Sequence, residues 1–111
     1  MHEMKLQSEF YYYIKNGSKR IEIRLNDEKR KIIKVNDIIE FRNIENNEKI
    51  KTKVLELKKY NSFIELLDDN DISLLADKSY NKEKLLKELN NFYSKEEQNK
   101  YGIIAIKIDL I

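Results

Sequence analysis

The stretch Gly17-Ser18-Lys19-Arg20-Ile21-Glu22-Ile23-Arg24 decides how the rest of the chain is read. A glycine ends one element, and a strand-like run follows in which charges alternate with isoleucines. Successive side chains of a strand point to opposite faces. Ile21, Ile23 and Leu25 therefore share one face, and Arg20, Glu22 and Arg24 share the other. The apolar set is expected against a core. The charged set is expected toward solvent, a partner strand or a cleft.

Upstream of this strand, Leu6 to Asn16 reads as a short helix, with Ser8 as N-cap and Gly17 as the left-handed residue that closes it. Phe10, Tyr13 and Ile14 fall on one helical face, flanked by Tyr11 and Tyr12. The tyrosine run reads first as core and rim, with a base-stacking platform as the alternative. Downstream, Asn26–Lys31 has no large apolar side chain and is expected to be a solvated charged connection. Asn36-Asp37 marks a tight turn, since asparagine tolerates positive φ. Strands are expected at Ile38–Arg42 and Ile50–Tyr60, joined by an Asn46-Asn47 hairpin turn. The uneven alternation around Val54, Leu55 and Leu57 predicts a bulge in the second.

Ser62-x-x-Glu65 fits a capping box for a helix over Phe63–Leu67, and Ile72–Ala76 reads as a further helical turn. Asn81 is placed to cap a helix from Lys82 to Phe92. Ser94-x-x-Glu97 opens another over Lys95–Lys100. Gly102 then separates that helix from a final strand, Ile103–Leu110, with Ile104, Ile106 and Ile108 on one face. Antiparallel strands followed by helices and a returning strand predict an α+β fold, a curled sheet or small open β-barrel with flanking helices.

Bulk composition is consistent with this and narrows the chemistry. The 111 residues suit a single domain spanning 1–111. Hydrophobic residues make up 41%, enough for a core. The 22 basic and 20 acidic side chains nearly cancel, unlike a dedicated polyanion binder. Cysteine is absent, and His2 is the only histidine. Thiolate zinc sites, cysteine nucleophiles, His-based metal clusters and His-dependent serine triads are excluded, so no metal or cofactor is expected. The first residues lack the apolar region of a signal peptide, and no apolar run approaches membrane-spanning length. A cytoplasmic location is the expectation. His2 reads as a disordered terminal residue and is assigned no role.

The pattern Gly17-x-Lys19-x-x-Glu22-x-Arg24 resembles the signature of ASCH domains, a branch of the PUA-like superfamily. The likeness continues through Glu22–Arg30, Lys34–Phe41, Ser62-Phe63-x-Glu65-Leu66, and the ending Tyr93-Ser-Lys-Glu-Glu with Tyr101-Gly-Ile-Ile-Ala-Ile. It covers nearly the whole chain. Asn36-Asp37 stands where the family commonly has Gly-Asp. The resemblance implies a PUA-like barrel with a cleft beside the first helix and the signature strand, and RNA, a nucleotide or a modified nucleoside as partner. Some small relatives deacetylate N4-acetylcytidine, using the motif lysine, a hydroxyl residue two positions before the motif arginine, and a later glutamate. Here Lys19 holds the lysine position and Glu22 holds the hydroxyl position; Glu65 is one candidate for the later acid. The departure at Glu22 makes binding the first reading and amidohydrolase activity the second.

The trio also has a reading from its own chemistry. Glu22 and Arg24 lie roughly 7 Å apart along a strand face. Arg24 offers a planar fork for phosphate or carboxylate and a surface for stacking. Glu22 suits an exocyclic amine. Lys19 serves as a point charge, or as a base if desolvation lowers its pKa. The alternative is a surface ion pair worth about 0–1 kcal/mol. Spacing alone favours the ion pair; the resemblance implies instead a ligand-binding set of Lys19, Glu22, Arg24, Ser62 and Tyr93. Ser62 and Phe63 otherwise read as helix cap and core aromatic, and Tyr93 and Tyr101 as packing. Lys29-Arg30-Lys31 reads as a solvated loop or a phosphate contact. The acidic run Asp68–Asp71 raises a third reading, a protein-interaction surface.

Overall fold

The computed structural model describes all residues, Met1–Ile111. Five strands form one sheet: β1 (His2–Leu6), β2 (Ile21–Leu25), β3 (Ile38–Asn43), β4 (Lys49–Tyr60) and β5 (Ile103–Leu110), in the spatial order β1-β3-β4-β5-β2. The sheet curls into a half-barrel with β1 and β2 as its two edges. Six helices accompany it: α1 (Ser8–Lys15), α2 (Glu28–Lys31), α3 (Phe63–Asp69), α4 (Ile72–Leu75), α5 (Lys82–Phe92) and α6 (Lys95–Tyr101).

The strand period divides the core into two layers. Ile104, Ile106 and Ile108 of β5 face one side with Met4, Leu6, Ile39, Phe41 and Val54, and Tyr11 and Ile14 of α1 close over them. Ile103 and Ala105 face the other side with Ile21 and Ile23, against Phe63, Leu66, Leu75, Leu85 and Leu89. Apolar burial on both faces makes β5 the shared wall of the two layers. The opposed faces expected for β2 and β5 are those observed.

Most local signals act as their chemistry dictates. Gly17 follows α1 at φ 87°, and Asn36 and Asn47 take positive φ in the two turns where asparagine was expected to. The β4–β5 register shifts between Val54 and Glu56, and the bulged Leu55 is left exposed. Asn81 and Ser94 cap α5 and α6, the latter in a complete capping box. The Ser62 box is only half formed: its hydroxyl accepts from Glu65 N, while Glu65 Oε2 accepts from Asn61 N.

Three elements differ from the sequence reading. His2–Leu6 is a strand, paired parallel to β3 in the register Met4↔Phe41 and Lys5↔Arg42. His2 is therefore ordered, and its Nε2 lies 2.8 Å from Asp37 Oδ2. Ser8 opens α1 but does not cap it; Gln7 is the N-cap, with no side-chain cap bond, and Ser8 Oγ accepts from Asn43 Nδ2. Asn26–Lys31 contains the short helix α2, capped by Asp27, whose carboxylate also pairs with Arg30 at 3.0 Å. Within α1, Tyr11 belongs to the core, and Phe10 and Tyr13 sit at its margin.

Candidate functional site: a cavity at the barrel seam

Burial changes the meaning of the Lys19-Glu22-Arg24 trio. Lys19 and Glu22 are 3% and 5% exposed, so they form no surface ion pair. The turn after Gly17 carries Lys19 beneath α4. There its Nζ donates to Leu75 O at 2.6 Å and Ile21 O at 2.8 Å, and lies 3.3 Å from Glu22 Oε1. Leu75 O belongs to the last turn of α4, where helical carbonyls lack intrahelical donors. Three acceptors thus surround the ammonium, which also lies 5.6 Å from the Phe10 ring centroid. Burial pushes the Lys19 pKa down, and Glu22 opposes that shift.

Glu22 projects from β2 toward the inside of the half-barrel. Its Oε1 accepts from Ile23 N at 3.0 Å; its Oε2 accepts from Arg24 Nε at 3.2 Å and Nη2 at 3.0 Å. With Lys19 added, the acceptor capacity of the carboxylate, about four sites, is taken up. Burial alone would raise its pKa. The charges of Lys19 and Arg24, with hydrogen bonds from Arg24 and Ile23, outweigh this and hold Glu22 below the usual carboxylate range. The structure therefore gives Glu22 a holding role: it fixes two cations. Arg24 Nη2 also donates to Lys5 O at 2.7 Å, joining edge strand β2 to edge strand β1. The Arg24 Nη1 group has no hydrogen-bond partner in the protein. Burial acts to lower the Arg24 pKa, but Glu22 reverses this and the net shift is upward.

Beside the free edge of β2 lies a cavity of about 280 Å³, between β1 and α1 on one side and α4 and α5 on the other. Lys19, Glu22 and Arg24 form its polar floor, and Tyr93 stands in its wall. Phe10, Leu75, Leu85 and Leu89 make the rest largely apolar. Phe92 and Ile44 complete it and are 57% and 50% exposed. The Tyr93 hydroxyl makes no hydrogen bond within the protein, and burial raises its pKa, so it is a neutral donor at pH 7. Lys5 and Gln7 also line the cavity, and neither side chain is engaged by another. Two cations, Lys19 and Arg24, thus stand against one carboxylate, Glu22, and the exposed Lys5 lies at the rim.

Of the five residues expected to form the site, the fold brings Lys19, Glu22, Arg24 and Tyr93 together. It leaves Ser62 outside, at the N-cap of α3. Phe63 is a core residue whose ring packs 5.9 Å from that of Tyr93. Glu65 and Tyr101 do not line the cavity, nor does the Lys29–Lys31 run. Asp68 pairs with Lys82, Asp69 with Lys58, and Asp71 caps α4, so the acidic run is occupied locally. Sequence reasoning missed Lys5, Gln7, Phe10, Ile44 and Phe92. The one available signal was the alternation of Met4 and Leu6 with Glu3 and Lys5, which marks β1.

No group of three or more His, Cys, Asp or Glu side chains is arranged to hold a metal ion. No helix is long and apolar enough to cross a membrane.

Comparison with known proteins agrees with this architecture. The family model for the ASCH domain matches residues 4–111. The crystal structure of hypothetical protein PH0355 superposes with a TM-score of 0.87 at 41% identity, covering 98% of this chain and 97% of that one. The solution structure of protein PF0455 from Pyrococcus furiosus superposes with a TM-score of 0.79 at 37% identity, covering 99% and 96%. No functionally curated protein matches the sequence. With its family match spanning almost every residue and its half-barrel shared with both solved structures, the chain belongs to the ASCH domain family of the PUA-like superfamily.

Proposed function

We propose that the seam cavity receives the base of a nucleotide or of an RNA chain, with no covalent chemistry. The observation that carries this reading is the polarity of the cavity. Apolar walls enclose a floor on which Arg24 Nη1 has no partner, and the Tyr93 hydroxyl in the wall has none either. Such a site suits a flat ligand with apolar faces and an edge rich in acceptors. Its volume, about 280 Å³, lies near the small end of ligand sites, which favours one base over an extended molecule. The excess of cations favours an attached phosphate.

Glu22 enters this reading as the residue that positions Arg24, since its acceptor sites are already filled. That departs from a direct contact between Glu22 and an exocyclic amine.

Hydrolysis of an acylated nucleoside such as N4-acetylcytidine is the second reading. The downward pKa of Lys19 inside a cavity favours it. Against it, no serine or threonine lines the cavity, and Lys19 Nζ is already surrounded by acceptors.

Calorimetric titration with the four ribonucleoside monophosphates tests the first reading. At least one is expected to bind wild type and to bind the Tyr93→Ala variant at least tenfold more weakly. Absence of binding by all four and by N4-acetylcytidine would remove the cavity as a nucleotide site. Release of cytidine from N4-acetylcytidine, lost in Lys19→Met, would favour hydrolysis.

A further inference from the structure

The sheet register places three cations in one line. Lys5 of β1 lies opposite Arg42 of β3, and Arg42 lies opposite Lys49 of β4. All three belong to the face away from the α1 core, because their neighbours Met4, Leu6 and Phe41 point inward. Like charges directly opposite one another destabilise a sheet, and this row holds two such pairs in succession. Of the three, only Lys49 has an ion-pair partner, Glu40. Lys5 and Arg42 have no ion-pair partner, Arg42 Nη1 donates to the neutral Asn47 at 2.6 Å, and Lys49 is 3.9 Å from Glu40. In the next row, Glu3–Glu40–Lys51, two carboxylates lie beside Lys5 and Arg42, and on β4 the positive charge continues from Lys49 to Lys51.

One end of this file is the cavity. Lys5 lines it, and so does Ile44, whose N–H donates to Leu6 O at 3.0 Å just beyond the end of β3. The opposite end is Lys49, whose side chain is 55% exposed. Adjacent strands are about 4.8 Å apart, so the file spans roughly 10 Å, room for about two phosphates of an extended strand.

We propose that Lys5, Arg42 and Lys49 form a phosphate track by which the protein binds a single-stranded nucleic acid, one base of which occupies the cavity. The proposal rests on the base-in-cavity reading and goes beyond it by assigning the ligand to a polymer. Lys5 links the two parts: its main chain borders the cavity at the seam and its side chain opens the track. The backbone leaves past Ile44 and crosses β3 and β4 over Arg42 and Lys49. Neutralising two phosphates there releases condensed counterions, so binding of the polymer depends on salt more steeply than binding of a mononucleotide.

Fluorescence anisotropy with labelled single-stranded hexamers, rC6, rU6, rA6 and dC6, tests this beside calorimetry with the mononucleotides. The best hexamer is expected to bind at least tenfold more tightly than its mononucleotide. The Arg42→Ala/Lys49→Ala variant is expected to lose at least fivefold of hexamer affinity, and the slope of log K against log salt is expected to fall by about 1.4. Mononucleotide binding is expected to be unchanged. Lys49→Glu, at an exposed position, is expected to act in the same direction with an unaltered circular dichroism spectrum. Hexamer binding insensitive to both variants, or no tighter than the mononucleotide, overturns the track, as does equal competition by hexaglutamate. Loss of hexamer affinity in the Arg42/Lys49 variant with no mononucleotide binding keeps the track and removes the base from the cavity. Equal binding of rC6 and dC6 assigns the backbone alone; preference for rC6 assigns RNA.

Discussion

Arg24 on edge strand β2 donates to the main-chain carbonyl of Lys5 on edge strand β1 at 2.7 Å, so one side chain spans the open seam of the half-barrel. The same guanidinium is held by Glu22 from below. Replacing Arg24 with alanine leaves Glu22 with one cation and the Lys5 carbonyl without its donor. Breaking a buried pair by removing one partner costs about 3–5 kcal/mol. Urea denaturation of Arg24→Ala is expected to show a loss at the lower end of that range, since the Arg24 side chain keeps 15% exposure. Arg24→Lys is expected to recover less than half, because an ammonium lacks the fork that reaches both partners. Full recovery by lysine would contradict the seam-bridging role.

Glu22 gives a pH signature with a determined sign. Its folded pKa lies below the usual carboxylate value, so the folded state holds the proton less tightly than the unfolded chain. The stability it contributes is complete above the unfolded value, about 4.3, and is lost as pH falls through the folded value. Glu22→Gln removes this contribution and leaves Lys19 and Arg24 uncompensated. At pH 7 the variant is expected to be less stable by about 3 kcal/mol. The gap between wild type and variant in chemical denaturation is expected to be flat from pH 7 to 5 and to narrow below pH 4. A gap that widens with acid would reverse the assigned shift.

The two glycines differ in backbone region and not in crowding, since a Cβ at either would meet at most an ordinary van der Waals contact. Gly17 has φ 87° and nothing within 4 Å of where a Cβ would stand. Gly102 has φ 71° and ψ −172°, a region essentially confined to glycine, with Tyr60 O 3.5 Å from the Cβ position. Gly17→Ala is expected to cost about 1 kcal/mol. Gly102→Ala is expected to cost about 2–3 kcal/mol. Equal thermal shifts for the two variants would argue against this distinction.

The Tyr93 hydroxyl offers a test that spares the fold. It has no partner within the protein, so Tyr93→Phe is expected to change stability by less than about 0.5 kcal/mol. If the hydroxyl donates to the ligand, its loss costs about 0.5–1.5 kcal/mol of binding, or roughly a twofold to twelvefold weaker Kd. Unchanged affinity in Tyr93→Phe would place the ligand edge elsewhere, on Arg24 alone.

The sequence made most of this fold legible where local chemistry governs it. Asn81 and Ser94 cap helices, Gly17 and Asn36 mark positive φ, and the isoleucines of β5 alternate between two cores. The half-barrel anticipated from strand order and family resemblance is present. What stayed hidden depends on partners distant in sequence. β1 has only Met4 and Leu6 as apolar content, and it becomes a strand through parallel pairing with β3, more than thirty residues away. Glu22 and Arg24 alternate with isoleucines as surface residues do. Their burial follows from β2 being an edge strand with α1 and the 82–93 segment folded over it. Ser62 reads from the sequence slightly better as a cap than as a cleft residue, and the position of α3 assigns it to the cap.

Nucleotide ligands are expected to enter the seam cavity and meet Arg24. The most direct test is a ¹⁵N–¹H correlation titration of the protein with ribonucleoside monophosphates, observing backbone amides together with the Arg24 Nε–H group. Saturable shifts are expected, confined to Leu6–Phe10, Glu22–Arg24 and Phe92–Tyr93, with Arg24 Nε–H among the largest. No shift at these positions at millimolar ligand, or shifts centred on the Asp68–Asp71 segment or on α2, would contradict it.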